Sequence, residues 1–361
     1  MRLMGADSVD YHRVTIIERG DDFPGRALAY YASRGETPLV WGGAGADRLG
    51  LEGTVTDAQY AALFGPGGAA NPTTGKRLVS TRRPGMELVV SAHKSVALLG
   101  LIGRAEDMHA ILDAETDATL AYLDWARAAG GRRGRAQRRT PTSGLLWART
   151  RHATSRAADP EPHDHVLVAN LIEMSDARGG WKGLDTASVR DLTHAATIVG
   201  RMASAARAVK LGYAIEADDG PSGRLGHWRI AGVPPAVCDL FSKRSAEITA
   251  AVESRGYQTY RARGVAARDT RTAKRHIPVA ELMPAWTGQL VAAGFGVDAL
   301  ATGIERTAGE RAPVPPRLKN AELRMLVART LGPEGQLAVR KVFWVRLRRS
   351  DYAASGMTSF E

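Results

Sequence analysis

Three observations predict an α+β fold for this chain. Two apolar runs, "SGLLWARTRH" (143–152) and "HDHVLVANLIEM" (163–174), read as strands joined by a polar loop that contains Asp159-Pro160. Segment 106–131 carries Ile111, Leu112, Leu120, Leu123 and Trp125 at helical spacing and stops at Gly130-Gly131, as a packed amphipathic helix should. A second long helix is expected over 186–212, capped by Asp185.

Taken from the N-terminus, "HRVTII" (12–17) reads as a strand, and "FPGRALAYYASRG" (23–35) as a helix opened by Pro24 and closed by Gly35, with Tyr30 and Tyr31 near its end. A pair of tyrosines there either packs the helix on a core or offers two phenols for chemistry. Residues 56–64 form a short helix capped by Thr56, and 71–78 a turn into an extended segment. That turn is not a Walker loop: six residues separate Gly68 from Gly75 instead of four, and Lys76 is followed by Arg77. "MELVVSA" (86–92) reads as a buried strand.

Beyond the helix at 106–131 lies a basic run, 131–141, with Arg132, Arg133, Arg135, Arg138 and Arg139, and Arg127 just ahead of it. It is a solvated connector or an arm that meets DNA phosphates. "APVPPR" (312–317) interrupts regular structure, and the remainder of the chain is basic without a clear period. A domain over 1–305 is therefore expected, with 306–361 as a linker and the start of a truncated C-terminal region.

At 361 residues the chain can bury a large core without covalent staples, and its single cysteine, Cys238, allows no intrachain disulfide. The sequence shows neither a signal-peptide apolar core nor a run able to span a bilayer, so the expectation is a cytoplasmic protein with no membrane insertion. Lys and Arg number 49 against 38 Asp and Glu, a formal net charge of +11, which favours a polyanionic partner.

On a strand, residues two apart share a face, so His163 and His165 set two imidazoles side by side while Asp164 points the other way. A neighbouring antiparallel strand ending in His152 can bring a third ring to the same point. Spacing alone leaves two readings: three polar loop histidines, or three neutral nitrogen ligands that leave positions open on a divalent ion. Arg151 and Arg156 suit a phosphate ligand on that ion and so point to phosphodiester chemistry. No His-Glu-x-x-His helix is present, which disfavours a metalloprotease of that kind.

"RHATSRAADPEPHDHVLVAN" (151–170) resembles the three-histidine signature of HUH endonucleases, and more narrowly that of MobF-type conjugative relaxases. "YYASRGETPLVWGGAGADRLGLEG" (30–53) is similar to the family's tyrosine segment and Leu-Gly-Leu-x-Gly turn, and "TGKRL" and "ELVVSAHKSVALL" to its next two blocks. "GGWKGLD", "LGY", "FSKRS" and "TRTAKR" then come in the family's order, so that the resemblance covers roughly residues 12–300.

The resemblance implies a palm-like fold: an antiparallel β-sheet bearing the two histidine strands, flanking helices, and a groove for single-stranded DNA. It implies that a tyrosine, Tyr30 or Tyr31, attacks one phosphodiester at an origin of transfer. The products are a 5′-phosphotyrosyl protein and a free 3′-hydroxyl, and the step can be reversed. A phenol has a pKa of about 10 and needs assistance at neutral pH. A divalent ion on His152, His163 and His165 would provide it, with Mg²⁺ or Mn²⁺ expected and Zn²⁺ or Ni²⁺ as other possibilities. Glu87 stands where the family places an acidic residue that orients a metal histidine. Lys94, Arg156, Lys243, Arg244 and Lys274 fall in blocks assigned to the DNA groove. The expected partners are origin DNA, relaxosome accessory proteins and a coupling protein, with the chain itself a monomer.

Four departures accompany the resemblance. Only one tyrosine pair is present, with Tyr11 and Tyr60 isolated, so a second strand transfer by the same subunit is not implied. Glu87 replaces the usual aspartate, His93 the usual proline, and Asp164 occupies the position between the paired histidines. No Walker loop is present, although 331–354 resembles the junction into a helicase. Two further readings stay beside the relaxase: a replication-initiation or transposase-type HUH nuclease, and a catalytically impaired origin-binding domain.

Overall fold

Strict alternation along two long neighbouring strands divides the molecule into a reactive face and a packed one. The computed structural model describes residues 2–4, 37–65, 67–82, 84–128, 131–133, 138–140, 142–175, 179–218, 227–254, 266, 270 and 277–310. Tyr11, Tyr30, Tyr31, Lys274, and the strand and helix expected over 12–17 and 23–35 lie outside them.

In chain order the elements are β1 (Arg2–Met4), β2 (Val40–Gly42), α1 (Ala44–Arg48), α2 (Asp57–Phe64), β3 (Gly85–Ser91), α3 (Lys94–Ala97) running into a 3₁₀ turn (Leu98–Ile102), and α4 (Ala105–Ala128). Next come β4 (Gly131–Arg133), β5 (Arg138–Thr140), β6 (Trp147–Thr154), β7 (Pro160–Ala169), β8 (Ile172–Glu173), β9 (Trp181–Lys182) and α5 (Thr186–Lys210). The last elements are β10 (Ile215–Ala217), β11 (Trp228–Ile230), α6 (Pro235–Leu240), α7 (Lys243–Glu253), α8 (Val279–Ala292) and α9 (Val297–Glu310). The chain divides into two units, 1–309 and 310–361, and α9 runs unbroken through residue 305, where the sequence suggested a boundary.

The main sheet has the order β1-β3-β7-β6-β2 with every pairing antiparallel, so the fold is α+β as expected. Residues directly opposite each other in such pairs share a face. Ala148 lies opposite Leu167, Thr150 opposite His165 and His152 opposite His163, all on the front. Arg149 and Arg151 face Val166 and Asp164 on the back. The lower front is closed by Trp41, Tyr60, Leu63 and Phe64, which pack with Ala148 and Leu167 beneath α2. That helix starts where Thr56 predicts. Thr56 Oγ1 accepts from Gln59 N at 3.3 Å and Gln59 Oε1 accepts from Thr56 N at 3.0 Å, a reciprocal cap.

On the back, α4 and α5 lie against each other, and their Leu120, Leu123, Val189 and Ala196 bury Met86, Leu88, Val166 and Val168 of the sheet. A separate core joins the 3₁₀ turn, the end of α5, β11, α6, α8 and α9 through Leu98, Leu99, Ile230, Phe241, Trp286 and Leu300.

Two expectations change. Trp125 is 53% exposed, because it follows Leu123 by two residues and so turns to the opposite side of α4, where it meets Tyr122 at 5.8 Å. Val89 is 52% exposed in a strand expected to be buried throughout, since β3 also alternates and Val89 lies on the front opposite His165. Within the basic run, β4 and β5 pair as an antiparallel ribbon with Arg132 opposite Arg139 and Arg133 opposite Arg138. Among the described residues no helix is long and apolar enough to cross a membrane.

Candidate metal centre

His152, His163 and His165 converge on the open upper front of the sheet. Ring centroids lie 5.4 Å apart for His152 and His163, 4.4 Å for His152 and His165, and 5.0 Å for His163 and His165. One ligand atom from each lies within 4.8 Å of the others. His163 Nδ1 is 2.7 Å from the Glu161 carbonyl oxygen, which can only accept, so the ring proton is on Nδ1. His165 Nδ1 is 2.8 Å from Glu87 Oε1, a carboxylate that takes the same proton. Both rings therefore offer Nε2 to an ion, the tautomer a metal site requires, and strands hold them more firmly than a loop would. The donor set fits a divalent metal with coordination positions left over. Glu87, whose carboxylate makes that contact, lies diagonal to His165 on β3 and is itself buried.

The loop between the histidine strands is held from within and from outside. Ser155 Oγ accepts from the backbone N–H groups of Ala157 and Asp159, both at 3.2 Å, and Ala158 takes φ 58° between them. A left-handed alanine costs roughly 1 kcal/mol, so neighbouring contacts must hold it. Trp286 Nε1 donates to the Ala158 carbonyl at 2.8 Å. Asp159 is fully buried; its Oδ2 accepts from Lys243 N at 2.9 Å and its Oδ1 from Lys243 Nζ at 2.8 Å, and Nζ also reaches Gln289 Oε1. Lys94 Nζ donates to the Pro160 carbonyl at 2.8 Å, and burial pulls its pKa below the ordinary lysine value against the attraction of Glu161 and Asp159.

Several of the cations expected in a DNA groove also have partners within the protein. Lys94 and Lys243 hold the histidine loop. Arg244 donates to Glu247 Oε2 at 2.9 Å and to the carbonyl and hydroxyl of Thr270 at 3.0 and 2.9 Å. Arg156 is half-buried at the turn. Arg151, expected beside a phosphate on the metal, points instead to the back of the sheet, because it alternates with His152. There it meets Asp164 and Asp113.

Sequence reasoning did not find Arg149, Asp113, Thr116 or Asp159. The signal for the first was present, since Arg149 and Arg151 alternate with the front-facing Thr150 and His152. The partners on α4 are far away in sequence and leave no local trace. Burial alone would raise the Asp164 carboxyl, but the hydrogen bonds and charges of Arg151 and Arg149, with Thr116, outweigh it and hold Asp164 below the usual carboxylate range. His93 caps α3, its Nδ1 accepting from Ser95 N at 3.1 Å, and His109 Nδ1 lies 3.2 Å from Arg151 Nη1.

Residues 6–293 match the sequence profile of a family described as TrwC relaxase. The multifunctional conjugation protein TraI of Escherichia coli is 29% identical over 292 residues, which cover 76% of this chain and 16% of that protein. The chain thus spans about a sixth of the length of the curated relatives it matches. Among solved structures, a copper-bound conjugative relaxase TrwC in complex with oriT DNA superposes with TM-score 0.65 at 24% identity, over 82% of this chain and 98% of that one. TrwC with a mutant oriT DNA does so with TM-score 0.60 at 26% identity, over 76% and 95%.

Proposed function

The chain belongs to the TrwC relaxase family, and on that premise we propose that it nicks single-stranded DNA site-specifically at an origin of transfer by tyrosine transesterification, and that it can rejoin the strand. The observation that carries this reading is the histidine triad, with the proton of two rings held on Nδ1 and the third ring within ligand distance. A divalent ion bound there would polarise the scissile phosphate and offset charge developing on its non-bridging oxygens. Mg²⁺ and Mn²⁺ are the ions to test first, then Zn²⁺ and Ni²⁺, since imidazole ligands accept all four to different degrees.

Tyr30 or Tyr31 supplies the nucleophile. Its phenolic proton is lost as the tyrosine oxygen bonds to phosphorus, the bond from phosphorus to the 3′-oxygen breaks, and that oxygen takes up a proton. One phosphodiester replaces another, so no nucleotide is hydrolysed. Glu87 keeps the His165 ring in its ligand orientation. The arginine-rich ribbon and the net positive charge favour a nucleic-acid partner. In this reading the protein is a cytoplasmic monomer, residues 306–361 lie outside the relaxase domain, and relaxosome accessory proteins and a coupling protein are its protein partners.

The test is a denaturing gel of the protein incubated with oligonucleotides tiling the DNA around its own gene, with and without Mg²⁺ or Mn²⁺. A metal-dependent slower band lost in Tyr30→Phe or Tyr31→Phe is expected, and it names the nucleophile. Tight binding of one oligonucleotide with no adduct from any would overturn the catalytic reading in favour of an origin-binding domain.

A further inference from the structure

Between the two paired histidines, Asp164 turns to the back of β7, a place where its neighbours on the same face are Val166 and Val168. It is 0% exposed and fully engaged. Its Oδ2 accepts from Thr116 Oγ1 at 2.6 Å, Arg149 Nη2 at 2.6 Å and Arg151 Nη2 at 2.9 Å, and its Oδ1 from Arg151 Nε at 2.8 Å. The two guanidiniums reach on to α4, meeting Asp113 Oδ1 at 2.6 and 2.8 Å, and Arg149 also meets Asp117 at 2.9 Å.

A buried ionic group of this kind gains little net stability, because desolvating the charges costs about what their attraction returns. What it supplies is direction. We propose that Asp164, Arg149 and Arg151 are positioning residues for the metal ligands, an ionic clamp on the reverse of the two histidine strands that sets their register. This rests on the metal reading of the histidine triad.

The register argument is specific. Arg151 and Asp164 are direct partners across β6 and β7, and the same register places His152 opposite His163 and Thr150 opposite His165. A slip of one residue would send both β7 histidines to the back. A slip of two would keep every side chain on its own face and leave the valine pattern nearly satisfied, so hydrophobic alternation scarcely resists it. In one direction it would, however, set the Arg151 guanidinium against Val166 and the Asp164 carboxylate against Ala153, and in the other it would set Arg151 against Pro162 and leave Asp164 opposite Arg149 alone, so that either slip breaks the two-arginine clamp. The pin sits where it is needed, because regular pairing breaks between His152 and Thr154 immediately beyond. Through Asp113, Thr116 and Asp117 the clamp also ties the back of the site to a long helix.

Co²⁺ is a suitable probe, since its visible spectrum reports ligand geometry independently of DNA cleavage. Three variants of the full chain are compared with wild type: Asp164→Asn, the apolar triple Arg149→Met/Arg151→Leu/Asp164→Leu, and Met86→Ala, which opens a cavity on the same face, opposite Val168 and further from the clamp. We expect the triple variant to fold, with Co²⁺ affinity lowered about tenfold or more and an altered spectrum. Met86→Ala should lose melting temperature and keep both. Should the triple variant not fold, Asp164→Asn, which keeps the side-chain shape, carries the same test. A folded clamp variant with wild-type affinity and spectrum would overturn the clamp alone. Wild-type protein that binds no Co²⁺, or binds it equally after His163→Ala, would overturn the metal reading and the clamp with it.

Discussion

Lys243→Met separates a lysine that binds DNA from one that holds the histidine loop. Asp159 is 0% exposed, and without the ammonium its carboxylate keeps only the backbone N–H of residue 243 from that partner. Removing one member of a buried pair costs about 3–5 kcal/mol, but the Lys243 side chain is 43% exposed, so water already screens part of the interaction and about 2–3 kcal/mol is the better figure. At about 2–4 °C per kcal/mol for a chain of this size, the melting temperature should fall by roughly 5–10 °C. Adding Asp159→Asn should recover much of that loss, because no uncompensated charge is left inside. Thermal unfolding followed by circular dichroism measures both. Single-stranded DNA affinity over a salt series gives the opposing outcome: a staple leaves the slope of log K against log salt unchanged, whereas a lost phosphate contact lowers it by about 0.7. An unchanged melting temperature with a shallower slope would refute the staple and restore Lys243 to the DNA groove.

Three further outcomes are expected. Glu87→Gln removes the charged acceptor of the His165 Nδ1 proton and should weaken metal binding by about 10–100-fold in a direct titration while the fold is retained; wild-type affinity would exclude an orienting role. Burial raises the Glu115 carboxyl above its ordinary value despite the Ser204 hydroxyl and Arg201, so its ionisation opposes folding once pH exceeds the unfolded pKa. Glu115→Gln should therefore raise the melting temperature at pH 7.5 and lose that advantage near pH 4. Burial also pushes the Cys238 thiol up to about 11, leaving about one thiolate in a thousand at pH 8; it should resist Ellman's reagent until the protein unfolds, and reaction at the rate of free cysteine would contradict its burial.

The elements that place the site were legible because alternation and helical period are local. The two histidine strands, the cap at Thr56 and the long helix over residues 105–128 all arise from patterns within a few residues. His163 and His165 fall together by the same rule that separates them from Asp164. The partners of the cations within the protein were not legible. A lysine beside a motif reads as a phosphate ligand until its partner is known, and the partners of Lys243 lie 84 and 46 residues away, at Asp159 and Gln289. Arg151 was misplaced for a different reason. The period-two rule that was applied to the histidines also governs Arg151, and it puts the guanidinium on the face away from them.

The same rule explains how one pair of strands carries both chemistry and its support. Alternate residues of β6 and β7 give Thr150, His152, His163 and His165 to the front, while Arg149, Arg151 and Asp164 go to the back. A displacement along either strand is therefore felt on both faces at once. The loop that joins the strands adds a second constraint, since Ala158, Asp159 and Pro160 are each bonded to a side chain from outside the sheet: Trp286, Lys243 and Lys94. Two of those three come from the helical half beyond residue 240, which supplies no metal ligand among the described residues. The imidazoles thus depend on helices that contribute no histidine to the triad. The Ser-Arg-x-x-Asp-Pro stretch between the histidines is explained by the bonds that hold the loop, with Ser155 closing the turn and Asp159 anchoring it, before any contact with DNA is invoked.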